Sequence, residues 1–199
     1  MILYGTGGHA KVIISSIMAC GGTVEAFFDD DLTRIELCQI PIIGNYSRGI
    51  HADKLLVVAV GDNLLRRKLA QKIRHDFGNV IHPSAIIDES VRIGSGSVVF
   101  HGSILQTGSV IGDHVIINTR VLVDHDCVVA SFVHLAPGVV LCGNVNVGEN
   151  TLIGAGSMVV PNITIGANCL IAAGSVITHD IPDGSTVRGN PGRIIRTVC

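Results

Sequence analysis

The stretch SVVFHGSILQTGSVIGDH, residues 97–114, repeats a pattern of six residues three times. In each hexad a small residue precedes an aliphatic residue by two positions, and a corner position follows three residues later. Side chains two apart point to the same side of a β-strand. Glycine, which holds the corner in the first two hexads, tolerates positive φ. Each hexad is therefore predicted to form a short strand followed by a tight corner.

The same three columns extend in both directions from this stretch. Every sixth residue from Ile81 to Ile177 is Ile, Leu or Val, a column of small or β-branched residues lies two positions earlier, and Gly or Asn is frequent at the corners. The turns of a β-sandwich do not recur every six residues, whereas three such hexads make one coil of a parallel β-helix. We therefore predict a parallel β-helix over residues 79–180.

Three hexads per coil place every eighteenth residue on the same face, so the outward residues form three faces. Face 1 carries Ile86, Ile104, Leu122, Val140, Met158 and Val176. Face 2 carries Val80, Val98, Ile116, His134, Leu152 and Leu170. Face 3 carries Arg92, Val110, Val128, Asn146 and Thr164. Faces 1 and 2 are largely apolar, and soluble monomers rarely expose large apolar patches. Head-to-tail contact between two different faces predicts a homotrimer.

Two histidines interrupt this apolar surface. His125 and Asp126 lie at the corner after face 1, and His134 is the polar residue of face 2. The corner positions in this region are held by His114, Arg120, Asp126 and Phe132. Local rules tend to break at functional sites, which favours a site formed where neighbouring chains meet. The alternative is a hydrogen-bonded interface histidine beside a solvated corner.

Residues 1–78 do not follow the six-residue repeat and are predicted to form a small Rossmann-like α/β module. MILYGTGGHAKVIISSIM predicts a strand, a Gly-rich turn and a helix, TVEAFFDDD and KLLVVAVGDN predict two more strands, and NLLRRKLAQKIRHDF predicts an amphipathic helix. Ligands of such sheets lie at the carboxyl ends of the strands. Gly5–Gly8 permits close approach of a phosphate, and Asp29–Asp31 is suited to ribose hydroxyls, although a tight turn also explains the glycines. The size of the module favours a nucleotide-sugar over a dinucleotide.

Composition and charge argue against several classes of function. The net charge is −2 without a basic cluster, so nucleic-acid binding has little support. No apolar run reaches the roughly 18 residues of a spanning helix, so no membrane insertion is expected despite a mean hydropathy of +0.52. The six cysteines form no CxxC pair and are predicted to be reduced thiols of a cytoplasmic protein. Residues 181–199 are predicted to form a C-terminal tail.

A Rossmann-like module followed by hexapeptide repeats resembles the PglD/NeuD-type sugar acetyltransferases of the hexapeptide-repeat acyltransferase superfamily. The likeness is carried by YGTGGHAK, FFDDD, VDHDCVVASFVHLAPG and GNPGRIIR. It implies a left-handed β-helix, a homotrimer with active sites at subunit interfaces, and acetyl-CoA as co-substrate without a metal. The likeness is greatest to enzymes that acetylate the 4-amino group of nucleotide-linked 4-amino-4,6-dideoxysugars for bacterial surface glycans.

The resemblance also implies roles for individual residues. His125 would be the general base and Asp126 the acid that orients its ring, with direct attack of the amine on the thioester. Acetyl-CoA contacts are implied for His134, Gly143, Ala155 and Ala173, and Arg193 of the exit motif is suited to a CoA phosphate. Nucleotide-sugar contacts are implied for Gly7, Gly8, His9, Asp29, Asp30 and Gly61.

Three alternatives stay open at this point. A zinc hydratase of the γ-carbonic anhydrase type needs three converging histidines, whereas His114, His125 and His134 are eleven and nine residues apart. An O-acetyltransferase for sialic acid or another sugar would use the same fold, although a sugar acid would meet repulsion at Asp29–Asp31. A non-catalytic binding module would not bind acetyl-CoA. The sequence does not distinguish UDP, dTDP and GDP.

Overall fold

A computed structural model describes residues 1–197, so Val198 and Cys199 lie outside it, and with them the end of the predicted tail and the sixth cysteine. The N-terminal module contains β1 (Ile2–Tyr4), α1 (Gly8–Ala19), β2 (Ala26–Phe28), β3 (Glu36–Leu37), β4 (Ile40–Pro41), β5 (Leu56–Val58) and α2 (Asn63–Lys72). A parallel sheet of order β2–β1–β5 forms its centre, and every residue of these strands is buried. The predicted Rossmann-like module is confirmed.

Seventeen two-residue strands follow and form the three predicted faces. Face 2 consists of β6 (Val80–Ile81), β9 (Val98–Val99), β12 (Ile116–Ile117), β15 (His134–Leu135), β18 (Leu152–Ile153) and β21 (Leu170–Ile171). Face 1 consists of β7 (Ile86–Ile87), β10 (Ile104–Leu105), β13 (Leu122–Val123), β16 (Val140–Leu141), β19 (Met158–Val159) and β22 (Val176–Ile177). Face 3 consists of β8 (Arg92–Ile93), β11 (Val110–Ile111), β14 (Val128–Val129), β17 (Asn146–Val147) and β20 (Thr164–Ile165).

The register of the coils follows directly from the period of six. Each strand from β6 to β19 pairs in parallel with the strand eighteen residues later, as Ile104 does with Leu122. The solenoid is left-handed and has about six turns. Small inward residues also satisfy the backbone, since the hydroxyl of Ser103 donates to the carbonyl of Asn118 at 2.7 Å. The predicted left-handed parallel β-helix is confirmed.

The corners keep one backbone conformation whatever residue occupies them. Every corner position from residue 96 to residue 174 has positive φ. His114, Arg120, Asp126 and Phe132 have φ values of 54°, 57°, 57° and 61°, close to those of the glycine corners. A non-glycine residue in this region costs roughly 1–2 kcal/mol. The coil accepts these four residues at this cost. The contacts of their side chains must therefore explain why they are present.

Half of face 2 is covered by the N-terminal module of the same chain. Val80, Val98 and Ile116 are buried in one cluster with Ile13 and Ile17 of α1. The apolar residues of this half therefore bury their surface within the chain, and the predicted contact between two faces of neighbouring chains stays a prediction. Face 1 has no such cover within residues 1–197.

The segment after the β-helix is also β-structured. β23 (Ser185–Arg188) pairs in parallel with β21, and β24 (Arg193–Thr197) pairs antiparallel with β23. Both strands extend the sheet of face 2. The division of the chain at residues 78 and 180 stays a prediction.

Two expectations from the composition concern the cysteines and membrane insertion. Cys127 and Cys169 are buried at the predicted inward positions, and both are free thiols. No helix within residues 1–197 is long and apolar enough to cross a membrane.

Candidate active site

The glycine-rich turn after β1 opens into a cavity of about 460 Å³, the N-terminal cavity. The cavity lies at the carboxyl ends of β1, β2 and β5, where ligands of such sheets bind. All six residues for which the resemblance implies nucleotide-sugar contacts line it, namely Gly7, Gly8, His9, Asp29, Asp30 and Gly61. The structure therefore brings together residues that are up to 54 positions apart in sequence, from Gly7 to Gly61.

The glycines of this turn serve two different purposes. Gly5 has φ of +104°, and a Cβ there would meet the Val60 side chain at 2.8 Å, so this glycine is required by the turn itself. Gly7 and Gly8 have no atom within 4 Å of where a Cβ would lie, so they leave open space at the first turn of α1. Free backbone N–H groups at a helix N-terminus favour an anion.

The two acids of the cavity are already engaged. Asp29 accepts hydrogen bonds from the Thr6 amide at 2.7 Å and the Thr6 hydroxyl at 2.6 Å, and therefore holds the glycine turn. Asp30 accepts from the Tyr4 hydroxyl at 2.6 Å. Burial and this hydrogen bond raise the pKa of Tyr4. Contact between these carboxylates and a ribose stays a prediction.

His125 and Asp126 form a hydrogen-bonded pair at the corner between face 1 and face 3. The His125 Nδ1 lies 2.9 Å from the Asp126 Oδ2. The pKa of His125 is raised, first by this hydrogen bond and then by the charge of Asp124. A carboxylate accepts only, so Nδ1 carries the proton and Nε2 keeps its lone pair while the ring is neutral. The His125 side chain is 54% exposed within one chain.

Gly143 lies against the face of the His125 ring, one coil further along the same corner. A Cβ at Gly143 would overlap the His125 Nε2, Cε1 and Cδ2 atoms. The lack of a side chain at Gly143 therefore leaves room for the imidazole in its observed position.

His134 lies on face 2, away from His125, and contacts the wall of the N-terminal cavity in its own chain. Its Nδ1 is 3.3 Å from the Gly61 carbonyl oxygen, and its Nε2 is 3.3 Å from the Asn118 Nδ2. Burial, and then the charge of Arg66, lower the pKa of His134 to about 4. The ring is therefore neutral near pH 7.

The other residues predicted to contact acetyl-CoA do not share one groove within a single chain. Ala155 and Ala173 are exposed on the corner between face 2 and face 1, one above the other, whereas Gly143 lies on the corner between face 1 and face 3. Arg193 is exposed on β24, and its Nη1 donates to the Gly192 carbonyl at 3.1 Å. Within one chain the two corners are separated by the width of face 1.

Two residues of the unusual corner positions serve to join the modules. His114 stacks on Phe132 with ring centroids 5.0 Å apart, and it meets Phe77 edge-on at 4.4 Å. His114 and Phe132 break the Gly/Asn pattern of the corners, and both pack against the N-terminal module, which accounts for these two exceptions.

Sequence reasoning missed Arg66, which is 1% exposed and contacts both modules. A signal was present, because the buried side of α2 and the residue after it reads Arg66, Leu69, Ala70 and Ile73. That i, i+3, i+4, i+7 spacing marks a core-facing stripe, and an arginine at its first position predicts a buried cation. Within residues 1–197 no cluster of three His, Cys, Asp or Glu side chains is placed to hold a metal.

Two family models match the chain. The PglD N-terminal domain matches residues 1–73, and the bacterial transferase hexapeptide model, of six repeats, matches residues 144–179. A UDP-N-acetylbacillosamine N-acetyltransferase of Bacillus subtilis is 38% identical over 106 residues, or 49% of each chain. The alignment thus spans about half the length of that relative.

Solved structures match over almost the whole length of the chain. PerB from Caulobacter crescentus, in complex with CoA and GDP-perosamine, is 41% identical with a TM-score of 0.92, over 98% of this chain and 96% of that one. The acetyltransferase domain of PglB from Neisseria gonorrhoeae, in complex with acetyl coenzyme A, is 38% identical with a TM-score of 0.91, over 98% of both chains. With this likeness and the geometry above, the chain belongs to the PglD/NeuD-type sugar acetyltransferases of the hexapeptide-repeat superfamily.

Proposed function

We propose that the chain transfers the acetyl group of acetyl-CoA to the 4-amino group of a nucleotide-linked 4-amino-4,6-dideoxysugar, for bacterial surface glycans. The observation that carries this proposal is the combination of a glycine-lined cavity in the PglD-type module with the His125–Asp126 pair on the β-helix. Two similar proteins of known structure have CoA with GDP-perosamine, or acetyl coenzyme A, in their complexes. Free buried thiols are consistent with a reducing compartment, so we place the reaction in the cytoplasm.

The arrangement at His125 suits a general base. The amine of the sugar must lose a proton to attack, and the unprotonated Nε2 of His125 accepts it while Asp126 stabilises the imidazolium. The nitrogen forms a bond to the acetyl carbon, the carbon–sulfur bond breaks, and the CoA thiolate takes up a proton. No covalent acetyl-enzyme is required.

We infer that the active site forms between chains of a homotrimer. Face 1 leaves Ile86 and Met158 exposed, at 66% and 43%. One of its flanking corners carries His125 and the other carries Ala155 and Ala173. In a ring of three chains that bury face 1 at their contacts, the His125 corner of one chain lies beside the Ala155 corner of the next chain. That contact would complete a groove for the pantetheine arm.

The nucleotide-sugar is proposed to lie in the N-terminal cavity of the second chain. His134 and Gly61 in the cavity wall are in contact on face 2, next to the corner that carries Ala155. The sugar group of a nucleotide-sugar bound in this cavity, if it extends past His134, would approach His125 of the neighbouring chain. Both the trimer and the path of the sugar are proposals that rest on this geometry.

The test is a free-thiol assay with acetyl-CoA and the UDP-, dTDP- and GDP-linked 4-amino sugars, on the wild type and His125→Ala. We expect His125→Ala to lose about 10²–10⁴ in kcat, the usual contribution of a general base. Calorimetry should show unchanged nucleotide-sugar binding. Unaltered turnover would remove the base assignment, O-acetylation of a free sialic acid would favour the alternative acceptor, and no binding of acetyl-CoA would favour a binding module.

A further inference from the structure

Arg66 of α2 is a buried cation without a close ion pair, and the carboxylate whose charge acts on it is that of Asp62, at the N-cap of the same helix. Its side chain is 1% exposed, and no Asp or Glu within residues 1–197 lies at ion-pair distance from it. Burial lowers its pKa to about 10, which still leaves the guanidinium charged near pH 7. A buried charge is costly unless hydrogen bonds satisfy it. The hydrogen-bond acceptors around Arg66 therefore show which parts of the structure this residue holds in place.

Those acceptors come from both modules. Nη1 donates to the carbonyls of Val60 at 3.2 Å and Gly61 at 3.1 Å, which belong to the wall of the N-terminal cavity. Nε donates to the His114 carbonyl and Nη2 to the Phe132 carbonyl, both at 2.9 Å. One guanidinium therefore joins the cavity wall to two successive coils of the β-helix.

The Gly61 carbonyl is shared between Arg66 and His134. His134 Nδ1 lies 3.3 Å from the oxygen that also accepts from Arg66. Because a carbonyl only accepts, Nδ1 must carry the proton of the neutral ring. Nε2 then accepts from the Asn118 amide, whose own oxygen accepts from the Thr119 N–H at 2.8 Å. This chain of contacts fixes both the orientation and the tautomer of His134.

We propose that Arg66 is a positioning residue for acetyl transfer, which holds the Gly61 wall of the N-terminal cavity and, through the Gly61 carbonyl, the Nδ1–H tautomer of His134. The inference rests on the proposed function, since it assigns Arg66 to the same site. Without the guanidinium the Gly61 carbonyl keeps only His134 as a donor, and the cavity wall loses its connection to the carbonyls of His114 and Phe132. The consequence is weaker binding of the nucleotide-sugar and a mixed tautomer at His134, with a smaller effect on acetyl-CoA.

Arg67 provides a matched control on the same helix. Its Nη1 lies 3.3 Å from Glu149 of the β-helix, and its guanidinium lies over the Phe132 ring at 5.8 Å. Arg67 thus also connects the two modules, but its described contacts do not include Gly61 or His134. A role of Arg66 that consisted only of docking the modules would be shared by Arg67.

The experiment compares Arg66→Lys, Arg66→Met and Arg67→Met in the full chain. We expect Arg66→Lys to raise the KM for the nucleotide-sugar about tenfold and Arg66→Met about a hundredfold, as for lost charge-assisted hydrogen bonds. The KM for acetyl-CoA should rise less than the KM for the nucleotide-sugar, because Arg66 contacts the wall of the N-terminal cavity directly and His134 only through the Gly61 carbonyl. Arg67→Met should leave both constants near the wild type. Lysine keeps the charge but reaches fewer acceptors than arginine, so Arg66→Lys should lose less affinity for the nucleotide-sugar than Arg66→Met.

Nitrogen NMR of labelled histidine rings provides a second reading that does not depend on turnover. The wild type should show His134 as the Nδ1–H tautomer, and Arg66→Lys should shift it toward a mixture. An unchanged tautomer and KM in Arg66→Lys, or an equal effect of Arg67→Met, would overturn the proposal. If Arg66→Met does not fold, the lysine variant still decides. Absence of acetyl transfer by the wild type would instead contradict the proposed function and leave the tautomer result standing.

Discussion

The acid beside His125 is its neighbour in sequence, and the conformation of the corner allows the two side chains to meet. Adjacent side chains of a strand point to opposite faces, whereas Asp126 has φ of 57° and its carboxylate reaches the His125 Nδ1 at 2.9 Å. The resemblance implied this contact, and the backbone conformation explains how the short side chain of Asp makes it.

At this scale Asp126→Asn should change the pH dependence of turnover. The carboxylate raises the pKa of His125, and a base works only above its pKa, so the hydrogen bond moves the acid limb of the kcat profile to higher pH. Loss of the carboxylate should move that limb to lower pH, with a smaller loss in kcat than in His125→Ala. Asparagine tolerates positive φ, so the corner should persist. A pH–rate profile in which the limb stays in place would contradict the pairing.

Gly143→Ala should displace the His125 ring, because the new methyl group would occupy the space of the imidazole. A shift of about 1 Å in a catalytic group costs roughly a hundredfold in rate, so kcat should fall between tenfold and a hundredfold. Gly49→Ala is the control, since no atom lies within 4 Å of its added methyl. Equal activity of the two variants in the free-thiol assay would show that the ring has room to move.

At the scale of elements, one corner of the β-helix also serves as the docking site of the N-terminal module. His114 lies between the Phe132 and Phe77 rings, and its Nδ1 is buried without a hydrogen-bond partner. Burial lowers the pKa of His114 to about 4. Between the unfolded pKa of 6.5 and about 4, the unfolded chain binds more protons than the folded chain, so stability is lost as the pH falls through this window.

His114→Phe should therefore reduce the acid sensitivity of the fold. Phe132 shows that this conformation accepts phenylalanine, with φ of 61° against 54° at His114. The free energy of unfolding near pH 7 should change by less than about 1.5 kcal/mol, as for a shape-conserving swap. From about pH 7 to about pH 4, denaturation experiments should show that the free energy of unfolding falls less in this variant than in the wild type. Part of the fall should remain, because His9 and His134 also have lowered pKa values. An identical pH dependence would show that folding does not lower the pKa of His114.

At the scale of the whole molecule, face 1 is an apolar surface that residues 1–197 leave without an intramolecular partner. Met158→Asp places a charge on this face, at a side chain that is 43% exposed, so the single chain should still fold. We expect dissociation to monomers and a loss of activity of at least about tenfold, because unpaired charges are depleted from interface cores. Sedimentation and the thiol assay measure both effects.

Met18→Asp is the control for this change, since Met18 is 66% exposed near the end of α1 and lies outside face 1. It should leave both the oligomer and the activity as in the wild type. A Met158→Asp variant that sediments like the wild type would contradict the proposed interface.

The repeat and its faces are properties of the sequence alone. A hexad from Ser97 to Gly102 forms its strand and corner through neighbours in the chain, and stacking eighteen residues apart merely repeats that geometry, so the period of six predicts the register. The cavity residues were likewise predictable, because glycines and acids follow predicted parallel strands. Cover of face 2 by α1 was decided only by the tertiary structure, as were the contact of His134 with Gly61 and the contacts of Arg66 with the β-helix. The contact of Arg66 with His114 joins residues 48 positions apart and that of Gly61 with His134 joins residues 73 positions apart, and neither follows a period. Their formation depends on how two preformed surfaces fit, which no local spacing encodes.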